Sequence, residues 1–160
     1  MGRFLQWRPA VKNTNFMRKI AVILMSLMTF AFAANADDSP IDYAQLPAAA
    51  KSFISTELPG ETVSFVTKDA EMHGSTYDVV FASGLKVEFD GQGEWKEISG
   101  KRSQINKKFV PKEIVSQVES RWPNTGFTKI DRDRRGYEVE LTNNLDLKFN
   151  KKFKLVEIDD

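Results

Sequence analysis

The 160-residue sequence contains no cysteine and a single histidine, His73. Without cysteine there is no disulfide, no thiolate metal site and no lipid-modified N-terminal Cys. One histidine leaves no ordinary zinc or copper site. It also leaves one candidate base for a Ser-His-Asp arrangement, with Ser75 or Ser83 as nucleophile, and no Gly-x-Ser-x-Gly elbow is present. His73 stands between Met72 and Gly74 in an expected hairpin turn, where a solvated histidine is the plain reading. Neither the charged run 131–135 nor the basic stretch Lys101, Arg102, Lys107 and Lys108 interleaves with aromatics as in a nucleic-acid groove.

Acidic residues are missing from the first 36 positions. That stretch carries Arg3, Arg8, Lys12, Arg18 and Lys19, then the apolar run Ile20 to Ala34, and ends in Ala34-Asn35-Ala36. A basic start, a short apolar run and a small-x-small end make a secretory signal peptide, with cleavage expected after Ala36. Met17 is the expected natural start, and residues 1–16 read as an upstream extension. The run is shorter than the ~20 apolar residues of a spanning helix, so no stable membrane anchor is expected. Removing five of 23 basic residues against 22 acidic ones turns a formal charge of +1 into about −4. Such a chain is a poor partner for nucleic acid. The expected location is periplasmic or secreted.

What the chain does have is alternation. Tyr137, Val139 and Leu141 alternate with charged residues, Asn143-Asn144 interrupts, and Leu145, Leu147 and Phe149 alternate again. Period-two alternation puts the apolar side chains on one face of a sheet. Asn tolerates the positive φ of a tight turn, so the segment reads as a hairpin with one apolar and one wet face. Tyr77 to Phe89 repeats the design.

Asp37 to Gln45 reads as a loose lead. Leu46-Pro47 opens a helix whose stripe is Ala50, Phe53, Ile54 and Leu58, and Pro59-Gly60 ends it. Strands are expected at Thr62 to Lys68, Thr76 to Ala82, Leu85 to Asp90 and Glu94 to Ser99. Residues 101–109 form a basic linker with Lys101, Arg102, Lys107 and Lys108. The pattern then restarts: Val110-Pro111, the stripe Ile114, Val118 and Trp122, then Pro123, Phe127, Ile130, Tyr137, Leu145, Phe149 and Ile158. Constant offsets between such residues indicate an internal duplication, with units at 37–100 and 110–160. The expected fold is α+β: two tandem αββββ units forming an antiparallel sheet of about eight strands, with both helices on one face. The other face would carry Asp78, Val80, Ala82, Lys86, Glu88, Glu138, Glu140, Asp146 and Lys148.

This order resembles the PepSY-like exported proteins, a family labelled as similar to the β-lactamase inhibitor protein fold. The matching residues are Leu46-Pro47, Pro59, Gly74, Tyr77, Leu85, Phe89-Asp90-Gly91 and Ile98. In the second half they are Val110-Pro111, Pro123, Gly136-Tyr137, Leu145, Phe149-Asn150 and Ile158. Asn150-Lys151-Lys152 departs from the Asp-x-x-Gly turn. The resemblance implies an exported tandem α+β protein without enzymatic activity, cofactor or catalytic residues. Its label suggests inhibition or protein binding.

Other candidates are weaker. Asp90-Gly91-Gln92-Gly93-Glu94 lacks the ligand spacing of a calcium loop and reads as a turn. Glu138 and Glu140 would stand roughly 6.5–7 Å apart, a spacing open to a glycosidase pair but expected of any wet strand face. Asp131-Arg132-Asp133-Arg134-Arg135 reads as a solvated hairpin tip, or as a contact loop for an acidic partner. Trp122 is expected in the core, and Trp95 either there or exposed as a binding anchor. The function expected is a non-enzymatic binding protein docking through the open sheet face, with a protease or other hydrolase as a possible target. The alternative is an envelope sensor for a small ligand or cation. Exposed charges contribute little stability. Glu138→Lys/Glu140→Lys is therefore expected to leave the thermal melt and far-UV spectrum unchanged; an unfolded double variant would refute the wet-face assignment.

Overall fold

The computed structural model describes residues 39–71, 74–100 and 103–159. The signal segment 1–36 with its cleavage site, the start at Met17, His73, Lys101 and Arg102 lie outside them. Among the described residues, nine strands form one antiparallel sheet whose spatial order is their order in the chain. The class is α+β, with nine strands rather than about eight.

The additional strand is β1, Ser39–Ile41, in the segment expected to be a loose lead. It pairs with β2, Val63–Glu71, with Ile41 opposite Val66. Pro40 is tolerated because an edge strand needs hydrogen bonds on one side only. Three residues with one half-buried apolar side chain, Ile41, are too few for alternation to show in sequence. A 3-10 turn at Tyr43–Gln45 follows, closed by an Asp42–Gln45 capping box.

Helix α1, Ala48–Glu57, begins after Pro47, whose missing N–H costs nothing at a helix start. Its stripe buries Ala50 and Ile54, with Leu58 just beyond. Strands β3, Gly74–Phe81, β4, Leu85–Phe89, and β5, Trp95–Gly100, continue the sheet. Helix α2, Lys112–Arg121, starts after Pro111 and buries Ile114 and Val118. It is followed by β6, Phe127–Arg132, β7, Gly136–Leu141, β8, Asp146–Asn150, and β9, Leu155–Asp159. One hydrophobic cluster joins Ala50, Ile54, Ile114 and Val118 of the helices to Val79, Val87, Ile98, Ile130, Val139 and Leu147 of the strands. Those strand residues share one face, so both helices cover it.

The described part of the linker, residues 103–109, is docked. Ile105 is buried, and its N–H donates to the Phe127 carbonyl at 2.8 Å. Lys107–Phe109 then forms a 3-10 turn capped by the Asn106 side chain. Two other apolar positions are more exposed than alternation alone implies. A bulge between Val63 and Phe65 puts Phe65 opposite Val80 and leaves it exposed. Ile158, aligned with Ile98 in the sequence pattern, is 51% exposed where Ile98 is 0% exposed. β6 covers the outer side of β5, whereas among the described residues β9 pairs with β8 alone.

The two strand-linking turns at 90–94 and 150–154 share a geometry despite different sequences. Asp90 Oδ1 accepts the N–H groups of Gln92 and Glu94, and Asn150 Oδ1 those of Lys152 and Lys154. Gly93 takes φ +84° in the first turn, and Phe153 takes φ +57° in the second. A Cβ on Gly93 would lie 2.7 Å from the Ala50 nitrogen, so glycine is also what lets this turn rest on α1.

Burial predicts the stability cost at aligned positions. Ile98→Ala is expected to cost about 2–5 kcal/mol in urea unfolding. Ile158→Ala, on the same face, is expected to cost less than about 1 kcal/mol.

Candidate functional site

The face opposite the helices is built from the polar half of each alternating strand. Strand pairing sets Asp78, Glu88, Glu97, Asp131, Glu138, Lys148 and Glu157 in one line, one residue on each strand from β3 to β9. Neighbours in such a line are separated by about 4.8 Å. All but Lys148 are acids. An adjacent line holds Lys86, Ser99, Lys129, Glu140, Asp146 and Asp159 on β4 to β9. All seven charged residues expected on the wet face, Asp78, Lys86, Glu88, Glu138, Glu140, Asp146 and Lys148, stand in these two lines. Val80 is on the same face, half-buried opposite Phe65, and Ala82 lies in the turn after β3.

Lysines compensate part of the charge. Lys86 pairs with Asp78 at 2.8 Å and Lys96 with Glu88 at 3.1 Å. Lys129 pairs with Asp131 at 2.9 Å and Glu97 at 3.4 Å. Lys148 reaches Glu157 at 2.9 Å and Asp159 at 2.8 Å. Glu138, Glu140 and Asp146 make no salt bridge among the described residues. The surplus acid is thus concentrated on β7 and β8.

Protonation follows from position in the lines. Burial would lower the Lys129 ammonium, but the hydrogen bond and charge of Asp131, with Glu97 beside it, hold it above its ordinary value. Burial likewise opposes the outcome at Lys86, which Asp78 holds raised. Burial would raise Glu97; the Ser99 hydroxyl and the charges of Lys129 and Lys86 bring it below the ordinary carboxylate range. Asp131 goes the other way. Burial raises it, Lys129 pulls it down, and the charges of Glu97 and Glu138 leave it above its ordinary value. The pair is therefore unequal: Lys129 sits between two carboxylates, and Asp131 between two like charges. Asp131 loses stabilising effect as pH rises through its titration, and Glu97 loses it as pH falls.

Six members of the two lines escape sequence reading: Glu97, Ser99, Lys129, Asp131, Glu157 and Asp159. Bulges on β5 and β9 break the alternation there, with Phe89 opposite Trp95 and Phe149 opposite Leu155. Asp131 is concealed in the charged run 131–135, of which only part is a hairpin tip. Arg132 turns back instead, its guanidinium 4.2 Å over the Trp95 ring and bonded to Glu94 at 2.9 Å. That stacking covers Trp95, which packs half-buried against the core, as does Trp122. Asp133 caps the tip by accepting the N–H groups of Arg135 and Gly136.

Among the described residues a hollow of about 730 Å³ lies on the face itself, beside Glu88, Asp131, Glu138, Lys148 and Glu157, and two others adjoin it. One, of about 760 Å³, lies among the turns at one end, with Asp90, Glu94, Lys96, Arg132, Arg134 and Lys151 in its lining. The other, of about 750 Å³, follows the β5–β6 seam beside Lys86, Ser99, Lys129 and Thr142. Ser99 donates its hydroxyl hydrogen bond to Glu97 at 2.8 Å, and both lysines are held charged, so neither is a base for that serine. Ser83 bonds to Glu61 at 2.7 Å. Among the described residues no three His, Cys, Asp or Glu side chains are grouped to hold a metal ion. Asp90 is already committed to its turn. Also among the described residues, no helix is long and apolar enough to cross a membrane.

A family model described as "Putative beta-lactamase-inhibitor-like, PepSY-like" matches residues 75–157, from β3 to β9. The chain belongs to the PepSY-like family. Its solved neighbours share the fold. A "putative periplasmic protein" of the DUF2874 family from Bacteroides vulgatus is 36% identical, covering 79% of this chain and 99% of its own, with TM-score 0.73. A "putative calcium-regulated periplasmic protein" from Bacteroides thetaiotaomicron is 35% identical, covering 77% and 97%, with TM-score 0.73. A second B. vulgatus periplasmic protein, described as of unknown function, is 29% identical over 77% and 99%, with TM-score 0.72. No curated protein matches significantly.

The electrostatics of this PepSY-like face can be tested directly. Glu97→Gln removes a like charge from Asp131 and leaves Lys129 to it alone. The Asp131 pKa is expected to fall in a carbon-detected NMR titration; an unchanged value would refute the coupling along the line.

Proposed function

We propose that this PepSY-like protein is a non-enzymatic periplasmic binding protein that docks a basic surface of another protein on its open sheet face. The observation that carries this reading is the line of carboxylates across β3 to β7, continued by the unbridged Glu140 and Asp146. A face fixed by strand pairing presents its side chains preorganised, so docking loses little entropy. Its charge governs partner choice and association rate. The periplasmic descriptions of the neighbours support the location, as does the sequence pattern for export with cleavage after Ala36. If the partner is a protease or other hydrolase, docking is inhibition, in keeping with the family description. The matching bulges after β4 and β8 support descent of the two helix-plus-four-strand runs from one unit.

A cation sensor is the second reading, favoured by the calcium-regulated description of one neighbour. The two readings separate in solution. A ligand that binds only the folded state raises the melting temperature. Under the docking reading, millimolar calcium leaves the melt unchanged, and the protein captures a basic partner from envelope extract that Glu138→Lys/Glu140→Lys does not. Equal capture by both forms removes the face from the interaction. A calcium-dependent rise in melting temperature transfers the function to the sensor.

A further inference from the structure

The sheet has two margins, and they differ. β1 is three residues long and contains Pro40, a feature that blunts an edge against further pairing. β9 is five residues long, without proline, and exposes Val156 and Ile158. Among the described residues nothing pairs beyond it.

β5 shows how such a strand engages a neighbour. It carries the same bulge as β9: Glu88 faces Glu97 and Phe89 faces Trp95, as Lys148 faces Glu157 and Phe149 faces Leu155. Beyond its bulge, β5 pairs through Glu97, Ile98 and Ser99 with Asp131, Ile130 and Lys129 of β6. Glu157, Ile158 and Asp159 stand at the corresponding positions of β9. A bulge of this kind therefore does not stop pairing on the outer side.

The occupant's chemistry follows from those three residues. Opposite Ile158, on the helix side, it needs an apolar residue. On either side of that residue it meets Glu157 and Asp159 on the open face, which share a single lysine, Lys148. A second copy is a poor occupant, because antiparallel pairing about Ile158 sets each Glu157 against the other copy's Asp159.

We propose that β9 is a docking edge that takes an extended basic–apolar–basic segment of the partner protein as a tenth strand. This rests on the docking function above and specifies where part of the partner binds. Main-chain hydrogen bonds supply affinity, and the alternating side chains supply selectivity.

The probe is a synthetic peptide of Gly126 and the β6 residues 127–132 in which lysine replaces Asp131, Gly-Phe-Thr-Lys-Ile-Lys-Arg. It is titrated into the nitrogen-labelled protein and followed by amide NMR. Shifts and slowed exchange are expected at Leu155–Asp159, with binding weakened about tenfold or more by Ile158→Lys. Val156→Lys serves as the second edge variant if Ile158→Lys fails to fold. No response at β9, or a response on β7 and β8 alone, overturns the edge proposal. Capture from envelope extract separates the two claims. A partner kept by Ile158→Lys but lost by Glu138→Lys/Glu140→Lys refutes the edge and preserves the face. A partner kept by the face reversal refutes the face itself.

Discussion

The pairing of β5 with β6 is the contact on which the rest of the molecule depends. It consists of three residues on each strand, with Ile98 opposite Ile130 at its centre and both fully buried. Without it, each half would leave a sheet edge uncovered and its helix over only four or five strands. With it, α1 and α2 share a single core, and the polar faces of both halves become one surface. The linker reinforces the join, since Ile105 is buried and bonded to Phe127 at the start of β6. Small antiparallel sheets gain stability when additional strands extend a common apolar face.

That join also creates the charge pattern. Glu97 and Asp131 face each other across it, and each extends a run of acids belonging to its own half. Like charges directly opposite are unfavourable. Lys129 moderates the contact by bridging both carboxylates, yet burial, with the charges of Glu97 and Glu138 added, holds Asp131 above its ordinary value. A surface that carries unfavourable charge in its free state can recover that energy when cations from a partner approach, and the unbridged acids on β7 and β8 are where the recovery would be greatest.

Sequence pattern reached the helices and the hairpins because each has a strong period. Pro47 and Pro111 mark helix starts, and the Tyr137 to Phe149 alternation marks a hairpin with its wet residues in order. It failed where a local device interrupts the period. β1 is too short to have one. The bulges at Trp95 and Leu155 shift the phase by a residue, so alternation does not carry Glu97 and Glu157 to the face. Asp131 reads as part of a loop because its neighbours are charged, although it is the last residue but one of β6. Ile158 reads like Ile98 because sequence encodes which way a side chain points, whereas burial depends on whether another strand lies beyond it. The line of carboxylates is a property of register between strands, and no single strand displays it.

The agreement between spatial order and chain order has a consequence for how the molecule is made. Each strand finds its partner in the segment made just before it, so the loops to be closed are short, and most pairing needs no distant search. As the chain emerges from its N terminus, each hairpin covers the edge left by the one before. The longest wait falls at β5, whose outer side has no neighbour until α2 and the start of β6 have been made. During that interval the incomplete chain presents the open strand edge Glu97-Ile98-Ser99, the kind of surface that associates with other chains. Production of this fold is therefore most vulnerable to aggregation when it is about two-thirds complete.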